Sequence, residues 1–347
     1  MTAAPIVDVN LIAYNSGDTV GLAIESVLSQ TWPSFTLTLI DDGSTDNTLD
    51  VMRDFAARDS RVQVKRNRCN GGAVANFQRA FWIGDADFVM PKSGDDVLAP
   101  DFMTETMEVL LAQPRCAMCH AGGLVFHDGR TQHVYPAEHR LSATAFNPLD
   151  RAKHVMSRYT SPPSFWGIYR RDAVDRTSAI AGGAGWDHVF LAELALAGEI
   201  RHVPKLLYWR RDGGKPVLTL ARAATAQAQN GLSADDDLGE QHWRTPLITT
   251  AFQHIRMAAN ARLPAAHRQA LIADIPSIFR ARWLPLLQRE AERFRDALPY
   301  LLEEIPRTGE PASVLRLARL REVSDGCASI VPEVTFPSFP ATAEAVR

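Results

Sequence analysis

Three groups of polar residues follow apolar runs in the first hundred residues, and their types could do chemistry. Tyr14 and Asn15 follow the first run, Asp41 and Asp42 the second, and a Ser-Gly-Asp-Asp turn at 93–96 the third. An aromatic ring can stack on a nucleobase, and a buried carboxylate is costly unless a donor such as a uracil or thymine N3–H pairs with it. Carboxylates also suit Mg²⁺ or Mn²⁺, which bring diphosphate oxygens into the same shell.

Each group also has a simpler interpretation. Acidic residues are common at helix N-termini, so residues 44–46 and the pair Asp95 and Asp96 could do no more than open the next helices. Capping explains Asp41 less well, because this residue ends the buried run itself. The residue types alone therefore leave both interpretations open for the turn at 93–96.

The elements that must position these groups alternate along the chain. Short apolar runs at 6–12, 37–40 and 87–90 predict strands, and apolar residues recur at helical spacing between them. Strands alternating with helices predict an α/β fold with a mostly parallel sheet flanked by helices. Ligands bind at the carboxyl ends of the strands in such sheets. We therefore expect the three polar groups to meet at one edge.

The character of the chain changes after its middle. Runs at 116–127, 166–169 and 206–209 predict further strands, whereas Ala, Leu and Arg at helical spacing dominate from about residue 215. We predict a first domain over 1–214, a helical C-terminal region over 215–331 and an extended tail over 332–347.

The composition of the chain limits the classes of partner that the protein can bind. The formal net charge is −3, so no global basic field indicates nucleic-acid binding. No apolar run approaches the ~20 residues that span a bilayer, and the first residues do not resemble a secretory signal, so we expect a cytoplasmic protein. Cys116 and Cys119 form a C-x-x-C pair that could bind zinc or act in redox chemistry, but a buried strand is the favoured interpretation.

Taken together, residues 7–103 resemble family 2 glycosyltransferases of the GT-A fold. The matching stretches are 7–15, 23–31, 39–48, 70–72 and 94–98. The stretch from Asn70 to Gln78 also resembles the subgroup that includes bacterial rhamnosyltransferases. The resemblance implies that 1–214 is a GT-A nucleotide-sugar-binding and catalytic domain.

The resemblance also implies roles for single residues. Tyr14 and Asp41 would hold the base, and Asp95 would bind a metal ion and the diphosphate, with Asp96 supporting it or also contacting the metal. The whole nucleotide-binding set implied is Ala13, Tyr14, Asn15, Asp41, Asp42, Asn70, Gly72, Ser93, Gly94 and Asp95. Two positions depart from the family: Ser93 stands where the first Asp of its D-x-D motif is usual, and Ala13 replaces a common Thr.

The second half of the chain carries a weaker match. Asp187 opens a predicted helix and matches the family's general base, which takes the acceptor proton in an inverting transfer; it could equally be an N-cap. Arg210 or Arg211 would clamp the diphosphate. Asp212 stands near a position where the family often has a His, and it is a candidate replacement metal ligand.

Two aromatic residues and one basic segment could contact the acceptor side. Trp166 and Trp186 could stack on sugar rings, although large aromatics are more often core residues. Residues 279–287 combine arginines with apolar side chains, which suits either peripheral contact with a membrane or an ordinary packed helix.

We therefore predict an inverting, metal-dependent glycosyltransferase that uses Mn²⁺ or Mg²⁺. Its donor is a UDP- or dTDP-linked sugar, its acceptor a saccharide or lipid-linked saccharide, and its pathway surface polysaccharide synthesis. A catalytically inactive sugar-nucleotide-binding or scaffolding protein is one alternative. A nucleotidyltransferase is the other, but it would usually carry a Gly-rich basic loop after the first strand, which residues 14–17 are not.

Overall fold

A computed structural model describes residues 4–127, 129–136, 140–158, 162–178, 185–212, 246–303 and 311–337. The chain divides into two compact units, the first made of 1–182 and 186–216 and the second of 183–185 and 217–347. The predicted boundary at 214, the start of the helical region at 215–245 and the last ten residues of the predicted tail lie outside the described residues.

The first unit is built on one mixed sheet. Its described strands are β1 (Val7–Ala13), β2 (Phe35–Asp41), β3 (Val62–Arg66), β4 (Phe88–Ser93), β5 (Val97–Leu98), β6 (Cys116–His127), β7 (Arg130–Val134), β8 (Gly167–Arg170) and β9 (Glu199–Arg211). The strand order is β3-β2-β1-β4-β8-β6-β9-β5, and β7 pairs with β6. From β3 to β4 all neighbours are parallel, as are β6 and β9. The other described pairs are antiparallel.

Helices connect these strands. Those described in the first unit are α1 (Val20–Leu28), α2 (Thr48–Arg58), α3 (Gly72–Trp82), α4 (Phe102–Ala112), α5 (Pro148–Arg158), α6 (Arg171–Val174) and α7 (Trp186–Ala197). The parallel half of the sheet therefore follows the alternation that the sequence predicts, and the α/β fold class is confirmed. Antiparallel pairs beyond β4 make the sheet as a whole less parallel than the sequence predicts.

Burial explains the continuous apolar runs. Val9 on β1 and Leu39 on β2 are fully buried, as expected for central strands that are covered on both faces. Cys116 and Cys119 are fully buried on β6, in agreement with the strand interpretation. Burial raises the pKa of the Cys116 thiol to about 11, so this thiol is unreactive at neutral pH.

The second unit is helical where it is described. Its helices are α8 (Pro246–Asn260), α9 (Ala265–Glu303) and α10 (Pro311–Ile330). The backbone of α9 leaves helical geometry at Trp283, two residues before Pro285, because a proline inside a helix breaks its hydrogen bonding. Phe279, Trp283 and Leu287 are buried, which favours the packed-helix interpretation of this segment. Their burial gives no support to contact with a membrane. Among the described helices, none combines the length and apolar character that crossing a bilayer requires.

Candidate active site

The carboxyl ends of β1, β2 and β4 bring the three predicted polar groups together. β1 lies between β2 and β4 and is parallel to both. Past the strand ends, the Asp42 amide donates to the Ala13 carbonyl at 2.9 Å, and the Gly94 amide donates to the Ile12 carbonyl at 2.8 Å. The residues that follow these strands therefore form one edge, as the sequence predicts.

Asp41 keeps an acceptor atom available at this edge although the residue is fully buried. Its Oδ1 accepts a hydrogen bond from the Ser44 amide at 3.1 Å. Arg66 Nε lies 3.1 Å from Oδ2, close enough for an ion pair, but it is not aligned to donate, and Oδ2 has no hydrogen bond. A buried carboxylate oxygen without a donor carries a desolvation cost, so a ligand N–H at this position would be favourable.

Asp42 accepts hydrogen bonds from Asn67 and from the residues that begin α3. Its Oδ1 accepts hydrogen bonds from Asn67 Nδ2 at 2.7 Å and from the Gly71 amide at 3.1 Å. The Gly72 amide donates both to Asp42 Oδ2, at 3.2 Å, and to Asn70 Oδ1, at 2.8 Å. Asp42 and Asn70 therefore cap the N-terminus of α3, where a negative charge is stabilising. Direct contact with the nucleotide, which the sequence analysis predicted for Asp42, would compete with these bonds.

The turns after β1 and β2 are tied to each other. Asn15 adopts the left-handed region with φ 49°, which Asn tolerates better than most residues. Its Oδ1 accepts from the Thr45 amide at 2.9 Å, and its amide donates to Ser44 Oγ at 3.0 Å. Asn15 thus fixes the turn, while the neighbouring Tyr14 remains 43% exposed at the rim, with its ring available to a base.

The turn after β4 lies directly on β1. A Cβ on Gly94 would come within 2.7 Å of the Ala13 Cβ and 2.9 Å of the Ile12 carbonyl, so this position requires glycine. Ala13 is itself buried under the turn. Gly94 covers its side chain, and the nucleotide contact predicted at Ala13 stays a prediction.

Asp95 and Asp96 differ sharply in environment. Asp95 is exposed, and its Oδ1 accepts a hydrogen bond from Thr19 Oγ1 at 3.0 Å. Asp96 is buried, with its Oδ2 bonded to the Tyr208 hydroxyl and its Oδ1 to the Arg211 amide at 2.9 Å. Burial raises the pKa of the Asp96 carboxyl. Because both oxygens accept hydrogen bonds within the fold, this geometry favours the supporting role of Asp96 over direct metal ligation.

Lys92 is a site residue that the sequence analysis missed. It is fully buried, and its Nζ donates to the carbonyls of Ser93 and Asp96, each at 2.6 Å. The ammonium thus holds the turn that carries Asp95 from beneath. Burial lowers the pKa of Lys92 to about 8. A lysine two residues after the apolar run at 87–90 was the available signal, because a lysine so close to a buried strand needs partners if it is itself buried.

The end of β9 supplies the two predicted arginines. Arg211 Nε donates to the Asp95 carbonyl at 3.2 Å, and its guanidinium lies 4.7 Å from the Phe126 ring centroid. Arg210 Nη1 donates to the Tyr135 hydroxyl at 3.4 Å. The Arg211 side chain therefore reaches the Asp95 turn, while Arg210 is held against Tyr135. The backbone of Asp212 follows β9, with its amide bonded to the Phe126 carbonyl at 2.7 Å.

An aromatic cluster connects α3 with this region. Trp166 lies parallel to Tyr208, with ring centroids 5.8 Å apart, and Trp186 stacks on Phe77 at 5.3 Å. Phe77 also contacts Trp166 at 5.2 Å, so both tryptophans belong to one cluster and are half-buried in it. Each thus packs in the fold and keeps part of its surface accessible.

Asp187 lies in the first turn of α7, directly after Trp186. Its Oδ1 accepts a hydrogen bond from the His188 amide at 2.9 Å, and the residue is half-buried. Asp187 is therefore adjacent in sequence to a member of the aromatic cluster. The geometry is compatible both with helix capping and with a role as general base.

The described residues could supply only part of the coordination shell of a divalent metal ion. No three His, Cys, Asp or Glu side chains are grouped as a metal site within the described part of the chain. Asp95 is the predicted ligand that reaches solvent from the β4 turn. Mg²⁺ is often bound by one or two carboxylates, with substrate phosphates and water completing its shell. The site therefore fits an ion held by Asp95 together with a bound diphosphate.

The fold has well-aligned relatives among solved structures. Staphylococcus aureus TarS 1–349 in complex with UDP aligns with a TM-score of 0.56 and 15% identity, over 97% of this chain and 94% of that one. The same TarS fragment has also been solved with UDP-GlcNAc. At this level of identity the alignment establishes the fold, which is of the GT-A α/β type.

Sequence comparison gives the family. Residues 8–175 match the model of glycosyl transferase family 2, so this part of the chain is a domain of that family. The uncharacterized glycosyltransferase YibD of Escherichia coli (strain K12) is 26% identical over 56% of this chain and 58% of its own length. Chondroitin synthase of Pasteurella multocida (strain Pm70) is 32% identical over 28% of this chain and 10% of its own length. The chain thus spans little more than half of one of these relatives and a tenth of the other.

Proposed function

We propose that this protein is an inverting, metal-dependent glycosyltransferase that moves a hexosyl or deoxyhexosyl group from a UDP- or dTDP-linked donor to an acceptor hydroxyl. The observation that carries the proposal is the buried Asp41 carboxylate, whose Oδ2 has no hydrogen-bond donor at the edge that Asp95 shares. The match of residues 8–175 to the family 2 model and the fold shared with TarS, which has been solved with UDP and UDP-GlcNAc, support it.

The nucleobase binds between Tyr14 and Asp41. Asp41 Oδ2 accepts the N3–H of uracil or thymine, which relieves the desolvation cost of the buried oxygen. The exposed ring of Tyr14 stacks on the base from the rim. A cytosine lacks a hydrogen on N3, so the same oxygen disfavours cytidine nucleotides.

The diphosphate lies over the turn at 93–96. Arg211, whose Nε already contacts this turn, and Arg210 beside it offer guanidinium donors to the phosphate oxygens. Lys92 and Asp96 hold the turn from below. A divalent ion bound at Asp95, with Asp212 a further predicted ligand, supplies Lewis-acid stabilisation of the leaving diphosphate when it is present. Mn²⁺ and Mg²⁺ both suit these oxygen ligands.

Asp187 takes the proton from the acceptor hydroxyl. Inversion at the anomeric carbon needs one carboxylate on the face opposite the leaving group. Trp166 and Trp186, half-buried beside Asp187, present ring surface to a saccharide or lipid-linked saccharide acceptor. We assign the reaction to surface polysaccharide synthesis in the cytoplasm; peripheral membrane contact stays a prediction.

Titration calorimetry tests the donor site. UDP, dTDP and GDP are each titrated into the protein with Mn²⁺ and with EDTA, and the series is repeated on Asp95→Ala and on the control Asp50→Ala, whose carboxylate is exposed on α2. We expect metal-dependent binding of UDP or dTDP, weakened at least tenfold in Asp95→Ala and unchanged in the control.

Failure of every diphosphate to bind in the presence of metal would overturn the proposal. Tight metal-dependent binding without turnover of any UDP- or dTDP-linked sugar would favour the inactive sugar-nucleotide-binding alternative. Equal binding with EDTA would remove the metal from the proposed mechanism while keeping the donor site.

A further inference from the structure

A groove lies on the opposite side of α3 from the aromatic cluster's rings, along the edge of the sheet. The residues that line it include Lys65, Arg66, Asn67, Gln78, Arg79 and Trp82. The C-terminal end of α3 is fixed to β1, where Asn10 Nδ2 donates to the carbonyls of Ala80 at 2.6 Å and Ile83 at 3.0 Å. The helix thus packs against β1, and the space beside β2 and β3 remains open.

The groove carries positive charge that its own residues do not neutralise. Three cationic side chains line it, and no carboxylate does. Lys65 and Arg79 are exposed and make no hydrogen bond or ion pair within the described ranges of the chain. Arg66 differs, because it lies against Asp41 and donates to the Ser44 carbonyl at 3.1 Å. Two cationic side chains that have no partner among the described residues therefore line the groove.

An exposed tryptophan lies beside these cations. Trp82 ends α3 with 47% of its surface exposed. Its ring contacts no other aromatic ring, and its indole N–H makes no hydrogen bond, within the part of the chain that the structure describes. Leaving this large apolar surface in water is unfavourable, and an indole face can pack against the C–H face of a sugar ring. The amide groups of Asn67 and Gln78 line the same groove.

We propose that this groove binds an acidic saccharide, meaning a glycan segment that carries carboxylate or phosphate groups. Trp82 packs on one sugar ring, and Lys65 and Arg79 pair with the anionic substituents. The groove adjoins the proposed donor site through Arg66, which contacts Asp41, but Trp82, Lys65 and Arg79 have no part in the proposed donor binding, and the proposal does not depend on transfer activity. A concave surface with one exposed indole and two neighbouring cations favours a chain of charged sugar rings over an extended protein surface.

The test uses two octasaccharides and one octapeptide of defined charge. Calorimetry at low and physiological salt compares an octamer of galacturonate, a neutral isomaltose-series octamer, and an octamer of glutamate. We expect the galacturonate octamer to bind, with an affinity that falls as salt rises, and the other two to bind at least about fivefold more weakly.

Variants assign the binding to the groove. Trp82→Ala should weaken galacturonate binding at least about fivefold, as truncation of an aromatic contact residue does, and the double change Lys65→Gln with Arg79→Gln should weaken it further and flatten the salt dependence. Arg53→Gln, a cation on α2 outside the groove, is the matched control and should behave as wild type. Circular dichroism confirms that each variant is folded.

Several outcomes would overturn the proposal. Equal binding of the neutral octamer would remove the role of charge, and equal binding of glutamate that Trp82→Ala does not weaken would indicate a polypeptide partner instead. Absence of galacturonate binding in the wild type would also refute it. Metal-dependent UDP binding is measured in the same variants, so that a failure of this site is distinguished from a failure of the donor site.

Discussion

The hydroxyl of Tyr208 donates a hydrogen bond to the buried Oδ2 of Asp96 and so joins β9 to the turn that carries Asp95. The other oxygen of Asp96 accepts from the Arg211 amide, and the Tyr208 ring lies parallel to Trp166. One buried pair therefore links three parts of the site: the proposed metal turn, the end of β9 and the aromatic cluster.

Removal of this hydroxyl should loosen the turn. Tyr208→Phe leaves a buried carboxylate oxygen without its donor, which costs about 1–3 kcal/mol. We expect the free energy of unfolding in urea to fall by that amount and metal-dependent UDP binding to weaken. Tyr300→Phe, on an exposed tyrosine, should change neither quantity. An unchanged unfolding free energy in Tyr208→Phe would contradict the structural role of this bond.

Asp42 and Asp41 are adjacent but should respond differently to the same change. Asp42→Asn weakens a cap that receives the Gly71 and Gly72 amides, so we expect a loss of about 1–2 kcal/mol in the free energy of unfolding. Asp41→Asn keeps an oxygen for the Ser44 amide but turns an NH₂ toward the base, so UDP affinity should fall by roughly tenfold or more. Unfolding and calorimetry on both variants check this; the reverse pattern would exchange the two roles.

Asp187 is tested by separating binding from turnover. Asp187→Asn preserves the shape of the side chain but removes the base, so kcat for UDP release in the presence of an acceptor should fall by roughly 100-fold or more. UDP affinity should stay unchanged. Asp172→Asn, an exposed carboxylate paired with Arg176, is the control. If Asp187→Asn retains full turnover, Asp187 serves only to cap α7.

Glu290 should make stability depend on pH. This residue of α9 is buried, and its oxygens accept hydrogen bonds from the Leu247 and Ile248 amides. Burial raises its pKa from 4.5 to about 8. Between these values the folded protein binds more protons than the unfolded chain, so this contribution to stability is present below pH 4.5 and is lost as the pH rises through 8.

The variant Glu290→Gln stays neutral and should remove this dependence. At pH 9 we expect it to be more stable than wild type by on the order of 5 kcal/mol, because one pKa unit corresponds to about 1.4 kcal/mol, and at pH 4 to be equal, as measured by denaturant unfolding across this range. Glu292→Gln, on the exposed side of the same helix, should follow wild type. A variant less stable than wild type at pH 9 would mean that the charged carboxylate stabilises the N-terminus of α8 more than burial disfavours it.

Part of this site could be predicted from the sequence, because the rule that predicts it depends only on the residues at the ends of the strands. Asp41 and Asp95 follow apolar runs, and parallel strands bring such positions to one edge whatever the rest of the chain does. The role of Asp42 depends on partners distant in sequence, namely the amides at the start of α3. The partners of Lys92 are only one and four residues away, but its role depends on how the backbone folds back at the 93–96 turn. The antiparallel β8, inserted between β4 and β6, likewise depends on long-range pairing that periodicity does not report.

The hydrogen bonds between the turns after β1 and β2 have a thermodynamic consequence. Asn15 with Thr45, and Ser16 with Thr48 at 2.7 Å, fix these turns before any ligand arrives. Ordering a loop on association costs free energy, and a loop that is already ordered does not incur that cost. Conformational entropy lost when a nucleotide enters should therefore come mainly from the nucleotide, and the backbone around Tyr14 should move little between the empty and the occupied state.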